Sequence, residues 1–368
     1  MKLAERTKRR RGITVLAGVF GAIGLTIANS PILAGEEGYA SCSDQCDCTD
    51  QCGCGDAAGG NSCCMGGHCN SLWGELLYLQ ATGVDMVHAQ QQDGIGGAGT
   101  VPLGKIAAAD PDYEPGFRLG ANFGLTDYSS LAMSYAFYES DSVSSVGAPV
   151  IAGGGGSVGS LVHHPGAALT ASAGPVDSSY DIEFQLADLE YRRLLYGDNA
   201  GWLNYSLGAR YANLEQEFEQ RGIFGGGAGG QINTNTDIEF DGAGAMFGLD
   251  GEHRLGRRRL SLYGNVGVSP IVGQFSSAYS MNNVTNGIAL AQANWKDDRF
   301  VTILDYEIGV AWTSQSRLWR ISSGYSAAFW FNAITTPEFV DAVQADNYTD
   351  LGDTIAFDGI ITRLERRF

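Results

Sequence analysis

Between Gly116 and Leu125 the odd positions Phe117, Leu119, Ala121, Phe123 and Leu125 are apolar, and the even positions Gly116, Arg118, Gly120, Asn122 and Gly124 are glycine or polar. A period of two puts the first set on one face of an extended chain and the second on the other. Thr126-Asp127 then makes a tight turn. From Ser130 to Tyr138 the pattern repeats, with Leu131, Met133, Tyr135 and Phe137 opposed by Ser130, Ala132, Ser134 and Ala136. The two segments read as a hairpin.

The same alternation recurs at Leu203–Tyr211, Leu260–Val272 and Leu304–Trp312, and at Trp319–Ala333 with Ser323 and Trp330 out of phase. Weaker versions lie at Trp73–Ala81, at Tyr180–Leu195 with a phase slip near Ala187, at Ile238–Leu249 and at Thr354–Phe368. The polar faces carry Arg118, Arg210, Arg320, Asp305 and Glu307, which a soluble sandwich could not bury against a second sheet. In a membrane barrel the apolar face meets lipid and the polar face lines the lumen. The expectation is therefore an all-β chain, a transmembrane antiparallel up-and-down β-barrel of about ten strands, within a range of roughly 8 to 12. After the N-terminus no apolar run of 18 or more residues exists that could span as a helix.

Connection lengths agree, because outer-membrane barrels alternate short periplasmic turns with longer external loops. Short turns are expected at Thr126-Asp127, Gly197–Gly201, Gly256–Arg259 and Ser314–Leu318. Long loops are expected at Gly83–Pro115, Ser140–Ser179, Gln220–Thr236, Met281–Arg299 and Thr335–Asp353. Both ends of the barrel then face the periplasm. Trp73, Tyr128, Tyr196, Trp202, Trp312, Trp319 and Phe368 fall at that rim, as an interfacial girdle would.

Composition fits: 52 glycines and only 17% charged residues depart from a typical soluble chain. The first 34 residues read as a signal peptide, with Lys2, Arg6, Lys8, Arg9, Arg10 and Arg11 before an apolar stretch from Ile13 to Ile27. Removing them takes away six basic residues and Glu5, so the formal net charge passes from −18 to −23. So acidic a chain lacks the basic footprint of a nucleic-acid binder or of a protein that docks on anionic headgroups.

Residues 35–70 hold all eight cysteines, Cys42, Cys46, Cys48, Cys52, Cys54, Cys63, Cys64 and Cys69. In an oxidising compartment they read as a disulfide-stapled periplasmic linker, with connectivity beyond reach. Cys46-Asp-Cys48 and Cys52-Gly-Cys54 with His68 could instead bind a soft metal, or the thiols could crosslink neighbours. No metal site and no cofactor is assigned. Gly154–Gly159 matches the dinucleotide fingerprint in form only, since no amphipathic helix follows. His163-His164 reads as an exposed pair in the same glycine-rich loop.

Local phrases resemble the Legionella-type major outer membrane protein family, with this chain a planctomycete-like member. They are Trp73-Gly-Glu-Leu-Leu-Tyr-Leu79, Gly116-Phe-Arg-Leu-Gly120, Asp181-Ile-Glu-Phe184 leading to Asp188-Leu-Glu190, Leu207-Gly-Ala-Arg-Tyr211, Phe240-Asp-Gly-Ala-Gly244 and a terminal Phe368. The resemblance spans 71–368 and implies a pore-forming barrel in the bacterial outer membrane, with lipid as surroundings and no catalytic residues. Recognition by the barrel-assembly machinery is expected from Phe368 with Leu364, Thr362 and Ile360 on its face, although Arg366 stands where an aromatic is usual.

Arg118, Arg210, Arg320 and Arg363 are expected in the lumen against Asp188, Glu190, Asp305, Glu307 and Glu365. Those charges either form a constriction for small polar solutes or ions or pair off and fill the lumen. The first makes the chain a narrow pore and the second a structural or surface-interaction barrel. A third reading, an outer-membrane hydrolase, lacks a recognisable acid/histidine constellation.

Overall fold

In the computed structural model, residues 67–368 are described apart from 96–99, 152–154, 199 and 257–258. The signal segment, seven of the cysteines and the CxC metal alternative lie outside the described residues. The strands are β1 (Ser71–Thr82), β2 (Met86–Asp93), β3 (Pro102–Ala109), β4 (Glu114–Thr126), β5 (Ser129–Val146), β6 (Gly156–Ser160), β7 (Val176–Gly197), β8 (Gly201–Phe224), β9 (Gly230–Arg254), β10 (Leu260–Asn283), β11 (Ile288–Thr313), β12 (Trp319–Ala333) and β13 (Asp353–Arg367), with helix α1 (Thr336–Ala345) before the last. Ten of them close into an antiparallel barrel ordered β1-β13-β12-β11-β10-β9-β8-β7-β5-β4, with β1 paired to both β13 and β4. The remaining three form a small sheet, β3-β2-β6. The transmembrane barrel and its strand number agree with the sequence reading.

The four short turns fall where expected, but two of the long loops do not exist. Gln220–Thr236 and Met281–Arg299 are mostly strand, closed by turns of residues 225–229 and 284–287. Gly287, at a φ of 69°, closes the second. Ser140–Ser179 narrows to residues 147–175 and holds β6, while Gly83–Pro115 holds β2 and β3. The loops were misplaced because the apolar pattern changes phase along a continuous strand.

On β8 the outward residues Leu203, Leu207 and Tyr211 are apolar and exposed, while Asn204, Ser206 and Arg210 are buried inside. Higher on the same strand the outward residues are Glu215, Glu217 and Glu219, and Leu214 and Phe218 are buried inside. β7 does the same, with inward Asp188, Glu190 and Arg192 giving way to Leu186, Phe184, Ile182 and Tyr180. The phase slip near Ala187 is thus no bulge, since Ala187 stays in register with Tyr135 and Tyr211. It marks the level where the outer face leaves lipid and the inner face meets protein.

Length requires such a level. A tilted strand crosses the hydrocarbon in about 9–11 residues, whereas β7 to β11 run to 22, 24, 25, 24 and 26. They project well past the membrane on the side away from the two ends. A second aromatic girdle, absent from the sequence reading, sits at the crossing: Tyr135 donates to Gln185 Oε1 at 3.0 Å, Tyr211 to Asp241 Oδ1 at 2.6 Å and Tyr325 to Asp358 Oδ2 at 2.5 Å. Each ring lies toward lipid with its hydroxyl on a polar group of the neighbouring strand.

The crossing level is open to test by charge placement. Leu207→Arg should cost about 2–4 kcal/mol in reversible unfolding from liposomes. Glu217→Arg, ten residues on along the same face, should change stability by less than about 0.5 kcal/mol.

Candidate functional site

The inward charges of the lower strands converge on one cavity of about 150 Å³. All nine expected lumen residues, Arg118, Arg210, Arg320, Arg363, Asp188, Glu190, Asp305, Glu307 and Glu365, line it. Arg210 grips Asp188 with two nitrogens, at 2.7 and 3.0 Å, and reaches Asp305 of β11 with a third. Arg320 lies 3.1 Å from Glu252 and 3.7 Å from Glu365. Arg118 of β4 lies 4.0 Å from Glu307 of β11, on the far side of the barrel. Arg210 with Asp305, Arg320 with Glu252 and Arg118 with Glu307 therefore tie walls that are three or more strands apart.

Five participants were not singled out in the sequence. Glu75 has a fully buried side chain, bonded to Arg118 at 3.0 Å and to Arg363. Arg192 pairs with Asp250 at 2.8 Å, Arg320 with Glu252, and Arg367 with Glu365 at 2.8 Å. Carrying the period one step from Glu190 would have found Arg192, and one step back from Leu77 would have found Glu75. Asp250 and Glu252 lie just beyond the end of the Ile238–Leu249 segment.

Two expected rim aromatics are inside instead. Trp73 and Trp202 line the cavity, and the Arg363 guanidinium stands 4.1 Å from the centre of the Trp73 indole. Gly120 on neighbouring β4 makes the room, since a Cβ there would collide with that indole. Alternation explains both: Trp73 shares a face with Glu75, and Trp202 with Asn204 and Arg210. Tyr128, Trp312, Trp319 and Phe368 are exposed at the periplasmic rim.

The chain before β1 closes in on the lower mouth. His68 is buried with Nδ1 2.9 Å from Ser130 Oγ, and Gly67 approaches the Trp202 ring. Burial first, then Arg192, holds this imidazole below its ordinary range. Cys69, the cysteine within the described residues, is buried beside it. Among the described residues no group of three or more His, Cys, Asp or Glu is arranged to hold a metal.

Above the charges an apolar layer crosses the lumen. Phe184 of β7 meets Phe357 of β13 at 4.7 Å and Trp330 of β12 at 6.4 Å, and Trp330 meets Phe240 of β9 at 6.4 Å. Phe240 continues to Phe275 at 4.6 Å. Trp330, out of phase as a lipid-facing residue, is the hub of this layer. Over it pack β2, the segment from β6 to His164, and α1, which buries Phe339, Val340 and Val343. Wall side chains satisfy the inserted backbone: Gln216 donates to Ile334 O at 2.8 Å, Gln220 to His88 O at 2.7 Å and Tyr279 to Val162 O at 2.9 Å.

Of the Gly154–Gly159 fingerprint, Gly156–Gly159 lie in β6, an edge strand paired to β2, and the next element is strand β7. His163 is not exposed, since its ring packs 4.4 Å from Phe224. His164 lies 3.6 Å from Asp346, just past α1.

A model of the Legionella pneumophila major outer membrane protein precursor family matches residues 68–359. No curated protein matches. Among solved structures the chain is similar to the outer membrane protease OmpT from Escherichia coli (11% identity, 81% of this chain and 97% of that one, TM-score 0.46). It is similar also to the P. putida toluene transporter TodX (10% identity, 82% and 90%, TM-score 0.25) and to a Pseudomonas aeruginosa FadL homologue (10% identity, 81% and 89%, TM-score 0.23).

Removing Glu75 as Glu75→Ala leaves two arginines facing one another, and should cost about 3–5 kcal/mol in unfolding free energy. Burial holds His88 and His163 at about 4, below their ordinary 6.5. A displaced segment binds protons below pH 6.5 and the inserted one does not, so its hold is full above 6.5 and weakens as pH falls toward about 4. Hydrogen exchange in 157–172, corrected for intrinsic rate, should therefore show more opening at pH 5 than at pH 7.

Proposed function

The chain belongs to the family of the Legionella pneumophila major outer membrane protein and resides in the bacterial outer membrane, and we propose that it serves there as a closed barrel whose work is done by its external projection. The observation that carries this reading is the ring network from Phe184 through Phe357 and Trp330 to Phe240 and Phe275, which joins facing walls across the bore. Beneath it the ion pairs engage the charges that a selective pore would leave to solutes.

In this reading the cysteine run is a disulfide-stapled linker on the periplasmic side, and the chain acts without catalysis. A second reading, a narrow gated pore for small polar solutes or ions, is favoured by one feature. The inserted segments above the seal carry buried imidazoles that resist protonation, so their displacement by acid would uncover the lumen from outside.

Planar-bilayer conductance of the refolded protein separates the two. The closed reading predicts no discrete steps in salt at neutral pH, and small steps when the seal is thinned as Trp330→Ala with Phe357→Ala. Discrete steps from the unaltered chain, at neutral pH or when the external side is brought to pH 5, would replace it with the pore reading.

A further inference from the structure

Net charge conceals how the charge is distributed. Of the 23 Lys and Arg, 17 lie after residue 34. Six of these, Arg118, Arg192, Arg210, Arg320, Arg363 and Arg367, are held in the interior ion pairs, and Arg221 and Arg299 pair with Glu219 and Asp297 on the projecting wall. Lys105 and Lys296 are also on the outer side. The other described arginines, Arg193, Arg254, Arg259, Arg317 and Arg366, are exposed and all sit at the periplasmic rim.

The turns fix them there. Arg193 lies opposite Ser129 at the foot of β7, and Arg366 opposite Trp319 at the foot of β13. The Arg254 amide donates to Ala200 O at 2.7 Å, and the Arg259 carbonyl accepts from Thr313 N at 3.0 Å. Two carboxylates share these turns, Asp127 and Asp198. Asp198 is engaged by the Ala200 and Gly201 amides at 2.8 Å and by the Tyr196 hydroxyl at 3.0 Å.

The opposite end of the outer wall is its inverse. Glu183, Glu215 and Glu239 stand directly across from one another on β7, β8 and β9, and Asp181, Glu217 and Asp237 form the next row. That end repels phosphate. The rim attracts it, at the depth where Trp312, Trp319 and Phe368 face outward and where headgroups lie. The Arg366 guanidinium is 5.5 Å from the ring centres of both Trp319 and Phe368, which leaves a planar donor set beside two lipid-facing rings.

We propose that the periplasmic rim binds anionic phospholipid of the leaflet it meets, with headgroup phosphates held by Arg193, Arg254, Arg259 and Arg366. This overturns, for one surface, the expectation that so acidic a chain avoids anionic headgroups. Guanidinium groups take phosphate oxygens in pairs, and each basic residue near such a surface adds to lipid retention.

The test uses the full chain in bilayers of equal phosphatidylglycerol and phosphatidylcholine, extracted gently and weighed intact with its retained lipid. Phosphatidylglycerol should be enriched about fivefold or more over phosphatidylcholine. The variant R193Q/R259Q/R366Q leaves every interior ion pair in place. It should lose the enrichment while keeping the heat-modifiable gel mobility of a folded barrel. Equal retention of the two lipids by the unaltered chain would overturn the proposal, as would enrichment that survives in a folded variant. Full displacement of the lipid by millimolar inorganic phosphate would show a free-anion site instead. Loss of sedimentation with purified peptidoglycan in the variant, without enrichment of phosphatidylglycerol in the parent, would show a cell-wall contact.

Discussion

What a strand residue meets on each side of the sheet changes at the outer edge of the lipid, and the rest of the structure follows from that change. Below the edge the outer face must be apolar, because nothing in hydrocarbon satisfies a polar group. The inner face is then free to hold charge. Above it the outer face meets water, and segments of the chain fold into the bore and demand an apolar inner face. One unbroken strand serves both regimes, so Leu207 and Glu217 of β8 point the same way while Arg210 and Phe218 share the other.

The two interior layers contribute differently. Burying ion pairs such as Glu75 with Arg118 and Arg363 adds little net stability, since desolvation offsets much of the attraction. Their geometry is nevertheless demanding, and pairs that cross from β8 to β11 or from β9 to β12 match facing walls to one another. The aromatic layer supplies the apolar burial. Phe184, Phe357 and Trp330 touch one another, and Trp330 leads through Phe240 to Phe275, so in the proposed closed reading ions entering the charged cavity from the periplasm would meet an apolar layer.

The membrane-spanning part was legible from alternation alone. The strand pairs of Gly116–Tyr138, the segment Leu304–Trp312, the ten-strand closure and the nine inward charges all come from one period of two. What escapes it has a common cause: polar inside and apolar outside does not hold along the whole strand. A single rule makes loops of residues 220–236 and 281–299, where the pattern in fact inverts. Tryptophan escapes differently: residue type points Trp73 and Trp202 to the girdle, although their own phase puts them inside. The aromatic layer is not legible in the sequence, since the rings of Phe184, Trp330 and Phe357 meet through closure of the barrel and not through proximity in the chain.

The level at which the outer face leaves lipid is the central claim, and a scan along β8 measures it. A nitroxide on a genetically encoded ketone residue, which leaves the cysteines alone, can be placed in turn at Leu203, Leu207, Tyr211, Glu215 and Glu219 of the liposome-inserted chain. Relaxation by dissolved oxygen should dominate through Leu207, and a water-soluble nickel chelate should take over by Glu215. Oxygen dominance persisting to Glu219, or chelate access already at Leu207, would contradict the account.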